Sequence, residues 1–252
     1  GDFHCPMGAA FYDDEGCIDC SLCSAATKEE MIAIDEREVL RHQGYKRISP
    51  LRGDIAEILK KEIGEGNKLI KPKAVYTQLG VSRIDKGTIE LDNGSILHLG
   101  SFLEDFSNSS YVGIAICTIS PALEERVAEL FSLKQFAEAV MLDSVGSVAA
   151  EGLADLANYS ICQTADKLNM RAGARFSPGY GKWNLSDQKV LFNLCDAERI
   201  GVSLNNQYMM IPRKSVSFCV GIGRELASHA GMNHCRRCHM KQCQYRQEGK
   251  NE

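Results

Sequence analysis

Apolar residues recur along the body of the chain with two distinct periods, which divide it into helices and strands. Spacings of three and four over residues 28–43 predict a helix stopped by Gly44, and the same spacing over 54–63 predicts a second. Residues 74–81, 88–91 and 96–99 read as strands. Asp92-Asn93-Gly94 is a turn signal between the last two, which therefore form a hairpin. Residues 111–119 are a near-continuous apolar run rich in branched side chains, as a central strand requires. Ser120 and Pro121 then read as the N-cap and first position of a helix reaching residue 131. Residues 135–168 are a long Ala-rich stretch, where Gly146, Ala149, Ala150 and Gly152 let another element approach closely. A helix over 186–194 and strands over 201–204, 208–211 and 215–222 complete the pattern. The order is neither alternating β-α-β nor all-β. The expected fold is α+β, a mixed or antiparallel sheet with packed helices, plus small iron–sulfur segments at both ends.

Composition narrows the function classes. The 252 residues are 44% hydrophobic and 25% charged, as in an ordinary globular protein with a real core. A net charge of −4 without a basic stripe argues against a nucleic-acid surface. The longest apolar runs, 112–119 and 211–222, fall short of the roughly 20 residues a membrane span needs. No export signal is visible, so the expected location is the cytoplasm.

Cysteine changes the picture. Of 11 cysteines, seven crowd into the two ends, which divides the chain into an iron–sulfur segment (1–27), a globular body (28–226) and a Cys-rich metal-binding tail (227–252). Close CxxC spacing in a reducing compartment argues for metal over disulfides. Cys17, Cys20 and Cys23 form an overlapping CxxCxxC, and Cys5, followed by Pro6, is the candidate fourth ligand. This spacing favours a [4Fe–4S] cluster, with zinc as the alternative, although the Cys-Pro pair lies upstream of the triplet instead of downstream. The segment also resembles a ferredoxin-like leader of some proteins of anaerobic one-carbon metabolism.

At the other end, Cys235, Cys238 and Cys243 supply three thiolates flanked by Arg236, Arg237, Lys241 and Arg246, which offset a cluster's negative charge. The fourth ligand is open among His234, His239, Cys219, Cys195 and an exchangeable group. The site reads as a second [4Fe–4S] cluster, with zinc or free thiols as alternatives. Cys117, Cys162, Cys195 and Cys219 lie in apolar segments and read first as core residues. His42 and His98 lack neighbouring ligands and read as surface or capping residues.

The most informative part of the body is Arg175-Phe176-Ser177-Pro178-Gly179-Tyr180-Gly181. Its Pro-Gly turn exposes backbone amides and carbonyls beside an Arg and an aromatic ring, a loop able to grip a planar, hydrogen-bonding ligand. Taken alone, the same stretch reads first as an ordinary surface turn. Met141-Leu142-Asp143-Ser144-Val145-Gly146-Ser147-Val148-Ala149-Ala150-Glu151 precedes it, and Tyr208-Met209-Met210-Ile211-Pro212-Arg213-Lys214-Ser215-Val216-Ser217 follows. Together the three stretches resemble the activation domain of cobalamin-dependent methionine synthase, over roughly residues 70–223. The resemblance implies a domain that binds S-adenosylmethionine and docks over a cobalamin module during reductive methylation of inactive cobalt(II). It assigns ligand contacts to Arg175, Ser177, Gly179 and Tyr180. The acidic motif that the family carries before the Arg loop is not recognisable in residues 158–174, so S-adenosylmethionine ranks below the iron–sulfur clusters as the expected cofactor.

These features point first to an iron–sulfur activator that docks on a corrinoid protein or cobalamin-dependent methyltransferase and passes an electron to cobalt. Such a protein is an electron-transfer partner more than a stand-alone enzyme. Two alternatives stand beside it: an S-adenosylmethionine-dependent reactivation component of a split methionine synthase, and a corrinoid-binding scaffold with structural metals. Neither a membrane nor a nucleic acid is an expected partner.

Overall fold

The computed structural model describes residues 10–13, 16–17, 32–45 and 52–226. Its helices are α1 (Glu36–His42), α2 (Gly53–Leu69), α3 (Ala122–Ser132), α4 (Phe136–Lys167) and α5 (Gln188–Leu194). Its strands are β1 (Ala10–Asp13), β2 (Gly16–Cys17), β3 (Lys73–Asp85), β4 (Thr88–Leu91) and β5 (Ile96–Leu97). They continue with β6 (Tyr111–Thr118), β7 (Arg171–Phe176), β8 (Ser203–Leu204), β9 (Met210–Ile211) and β10 (Ser215–Gly223). Short 3-10 turns span Gly100–Phe106, Leu185–Asp187 and Ala197–Ile200.

The main sheet runs β2-β1-β3-β6-β10-β7, with β4 and β5 extending from the far half of β3. Among the described strands only the β1–β3 pair is parallel, so the sheet is mostly antiparallel, and the α+β class is as expected. Strand β6 lies between β3 and β10 because its apolar run has a face for each of two layers. Ala115 and Cys117 join the helix-side core, while Val112, Ile114 and Ile116 join the core beneath α5 and the 3-10 turns.

Helix α4 organises the helical layer. It is apolar around most of its circumference, as a buried helix must be. It contacts α1, α2, α3, β6, β7 and β10. Its small residues do what the sequence suggests: a Cβ on Gly146 would lie 2.6 Å from Leu123 Cδ2 of α3, and one on Gly152 would lie 3.4 Å from Ile32 Cγ2. Ala149 and Ala150 are buried in the same core.

Some local expectations shift. Within the stretch 28–43, the described helix is Glu36–His42, capped by the Asp35 side chain accepting from Arg37 N at 2.8 Å. Gly44 follows it at φ +86°, as a stop residue should. Ser120 does not cap α3. It sits at φ +71° with its hydroxyl donating to Lys71 O at 2.7 Å, and the helix begins at Ala122 without a side-chain cap. Strand β7, unforeseen in sequence, forms the edge of the sheet beside β10. The hairpin of β4 and β5 turns at Gly94, φ +82°, as Asp-Asn-Gly predicts.

Of the terminal cysteines, Cys17 lies in β2, paired with Tyr12 of β1. Cys5, Cys20, Cys23, Cys235, Cys238 and Cys243 lie outside the described residues, as do His234 and His239. The body cysteines Cys117, Cys162, Cys195 and Cys219 are buried and form no disulfide, in keeping with a core role. Burial pushes the Cys117 thiol up to about 12 and the Cys219 thiol well up. Among the described residues no helix is long and apolar enough to cross a membrane.

Close packing at Gly146 generates a stability prediction. Gly146→Val drives two methyls into Leu123 and lowers unfolding free energy by about 1–3 kcal/mol. Urea denaturation checks this as a lower midpoint at unchanged slope.

Candidate functional site

Strand β7 reads Arg-Ala-Gly-Ala-Arg-Phe, and its pairing with β10 is interrupted. Val220 faces Arg175 and Ile222 faces Ala172, so two steps along β10 span three along β7. The extra residue is a β-bulge, and it changes the phase of alternation. Ala172 and Arg175 consequently both face the helical layer, whereas Phe176, opposite Cys219, turns to the other core.

The bulge delivers Arg175 to α4. Its Nη2 lies 2.7 Å from Asp155 Oδ1 and 2.9 Å from Glu151 Oε2, and its Nε donates to Asp155 Oδ1 at 3.2 Å. The guanidinium carbon sits 5.7 Å from the centre of the Phe218 ring. The Arg175 side chain is 9% exposed, against 50% for Glu151 and 71% for Asp155. Burial pulls the Arg175 pKa down, but the two carboxylates outweigh it and the net shift is upward. The cation is therefore permanent, and its two anionic partners keep oxygens open to solvent.

A second pair continues this arrangement. Lys214, just before β10, lies 2.8 Å from both Asp143 Oδ1 and Ser147 Oγ. Asp143, Ser147, Glu151 and Asp155 recur every four residues and so share one face of α4. A stripe of solvent-accessible carboxylates thus runs along the helix beside two largely buried cations, Arg175 of β7 and Lys214 just before β10.

Beyond Phe176 the chain enters the loop the sequence singled out. Ser177 is half-buried, and Gly179, Tyr180 and Gly181 are exposed. Tyr180 is 64% exposed, an unusual setting for a large ring. Gly179 and Gly181 have φ +92° and +56°, and a Cβ on Gly181 would lie 2.8 Å from Phe102 Cζ. Glycine is therefore required at 181 on two counts. Buried Trp183 closes the loop, its indole N–H donating to Asp187 Oδ2 at 2.9 Å.

Residues 92–247 match the family described as vitamin B12 dependent methionine synthase, activation domain. The chain belongs to this family. No curated protein matches it. Among solved structures it is similar to the MetH reactivation domain bound to AdoHcy, with a TM-score of 0.58 and 14% identity. The alignment covers 79% of this chain and 77% of that one. At such identity the likeness is one of fold.

Membership in the activation-domain family changes the cofactor assignment. Iron–sulfur clusters on Cys5, Cys17, Cys20, Cys23, Cys235, Cys238 and Cys243, ranked above an adenosyl ligand, do not stand as the expected cofactors. The solved activation-domain structure carries S-adenosylhomocysteine, and among the described residues no group of three or more His, Cys, Asp or Glu could hold a metal ion. Cys219, offered as a fourth ligand, is fully buried, and that burial pushes its thiol pKa up.

The sequence reading found Arg175 and its loop but missed the carboxylates that meet it. They lie on α4, upstream of the 158–174 stretch where an acidic motif was sought. The available signal was the four-residue spacing of Asp143, Ser147, Glu151 and Asp155, a polar stripe on a largely apolar helix.

The ion pairs predict an energetic coupling. A double-mutant cycle of Arg175→Met with Asp155→Asn gives a coupling of about 0.5–3 kcal/mol in unfolding free energy. Arg175→Met with Asp143→Asn, whose partner is Lys214, is additive within about 0.5 kcal/mol.

Proposed function

We propose that this chain reactivates a cobalamin-dependent methyltransferase or corrinoid protein, with S-adenosylmethionine as the methyl source. The observation that carries this reading is the strand-to-loop unit from Arg175 to Tyr180 in a chain of the activation-domain family. The unit offers an exposed ring and exposed backbone, and through Arg175 it meets the carboxylate oxygens of Glu151 and Asp155 on α4. S-adenosylhomocysteine bound to the structurally similar MetH reactivation domain supports the same ligand class.

The residues present suit such a ligand. Adenosylmethionine carries a planar base, an ammonium, a carboxylate and a sulfonium. Tyr180 offers its exposed ring to the base. Gly179 and Gly181 hold the exposed loop in its left-handed turns, with Ser177 as the polar flank. Glu151 and Asp155 present anionic oxygens to a cationic ligand group, while Arg175 fixes their direction and moderates their charge. Bound adenosylmethionine supplies an electrophilic methyl group, which cobalt(I), made from cobalt(II) by one electron from an external low-potential reductant, accepts as S-adenosylhomocysteine departs.

The partner in this role is the cobalamin-binding protein itself, and the activity is a repair step. The iron–sulfur electron-transfer role is set aside in its favour.

Trp183 is the sole tryptophan of the chain, so its fluorescence reports on this loop. Titration with S-adenosylhomocysteine gives a saturable change in emission. Tyr180→Ala weakens binding by roughly tenfold or more through lost stacking. Absence of both an emission change and calorimetric heat at millimolar ligand would remove the adenosyl ligand from this account.

A further inference from the structure

Tyr180 projects from a loop whose conformation is set from one side chain some distance along the chain. Gly179 N donates to Trp183 O at 2.9 Å, and Trp183 N donates to Tyr180 O at 3.0 Å. The main chain of Trp183 therefore clamps both sides of the Gly179–Tyr180 peptide. The Trp183 side chain is 2% exposed, and its polar atom is bound by Asp187 Oδ2. That same oxygen accepts from the main-chain N–H of His98 at 3.1 Å, with His98 Nδ1 at 3.4 Å. Asp187 is itself buried, at the end of the 3-10 turn Leu185–Asp187. One carboxylate oxygen thus ties the ligand loop to the segment that follows β5.

We propose that Asp187 is a positioning residue of the adenosyl-ligand site, acting through Trp183 to hold the Gly179–Tyr180 backbone in its binding form. This inference rests on the ligand reading above. Without Asp187 the buried indole N–H has no acceptor, and the indole must move to find one. The clamp on Gly179 and Tyr180 then loosens, and the ligand must order the loop as it binds. His98, read from sequence as a surface or capping residue, becomes the second anchor of the same oxygen.

The test compares Asp187→Ala, Asp187→Asn and a control, Leu59→Ala, which opens a cavity in the helix-side core away from the loop. Asp187→Ala weakens S-adenosylhomocysteine binding by roughly tenfold, red-shifts Trp183 emission and increases its quenching by acrylamide without ligand. Asp187→Asn restores affinity to within about threefold, because an amide oxygen can accept from both N–H groups. Leu59→Ala loses stability but retains wild-type affinity. Wild-type affinity in Asp187→Ala, or an equal loss in Leu59→Ala, overturns the positioning role. If the wild-type chain binds no ligand, the ligand reading fails and the role falls with it. The ligand-free emission of Asp187→Ala separates that outcome, since it reports the clamp alone.

Discussion

A guanidinium buried against an aromatic face is too costly to leave unpaired, and Glu151 and Asp155 are what keep Arg175 there. Much of the site follows from that constraint. Arg175 can reach α4 only because β7 carries an extra residue, and the bulge in turn sets where Phe176 points and where the loop departs. Phe176 enters the opposite core beside Phe102 and Phe106, with ring centres 4.6 and 5.8 Å away. Two successive residues therefore pin the strand from opposite faces, and the ligand loop begins from a fixed point.

Helix α4 serves two purposes that pull on its composition in different ways. Toward α3 and residue 32 it needs small side chains, and Gly146 and Gly152 provide the close approach. Toward β7 and the start of β10 it carries Asp143, Ser147, Glu151 and Asp155 on successive turns, each meeting a cation from the sheet. The packing that builds the core and the charges that mark the site are thus two faces of one element.

The layout of the body was largely legible because its periods are strong. The branched run of β6, the Asp-Asn-Gly hairpin turn and the length of α4 all stand as read. Strand β7 was not legible, since Arg-Ala-Gly-Ala-Arg-Phe has no branched residue and a bulge breaks its alternation. Ser120-Pro121 misled because the serine hydroxyl found a tertiary partner in Lys71 O, which no local rule anticipates. At the site, Arg175 and the Gly-Tyr loop were visible as a motif. Their carboxylate partners lie 20 and 24 residues earlier, and only the fold brings them together. Terminal cysteines drew the cofactor reading toward metal. The family match and the character of the body moved it to an adenosyl ligand.

On the proposed function, the chain promotes transfer of a methyl group from S-adenosylmethionine to cobalt in a partner corrinoid protein. The most direct measurement of this is isotope transfer: methyl-labelled S-adenosylmethionine, a cobalt(II) corrinoid protein and a low-potential reductant are incubated anaerobically with and without the chain. The account predicts labelled methyl–cobalt formed only when the chain is present, with one S-adenosylhomocysteine released per methyl transferred. Label transfer no faster than in the chain-free control, in a sample where cobalt(I) forms, would contradict it.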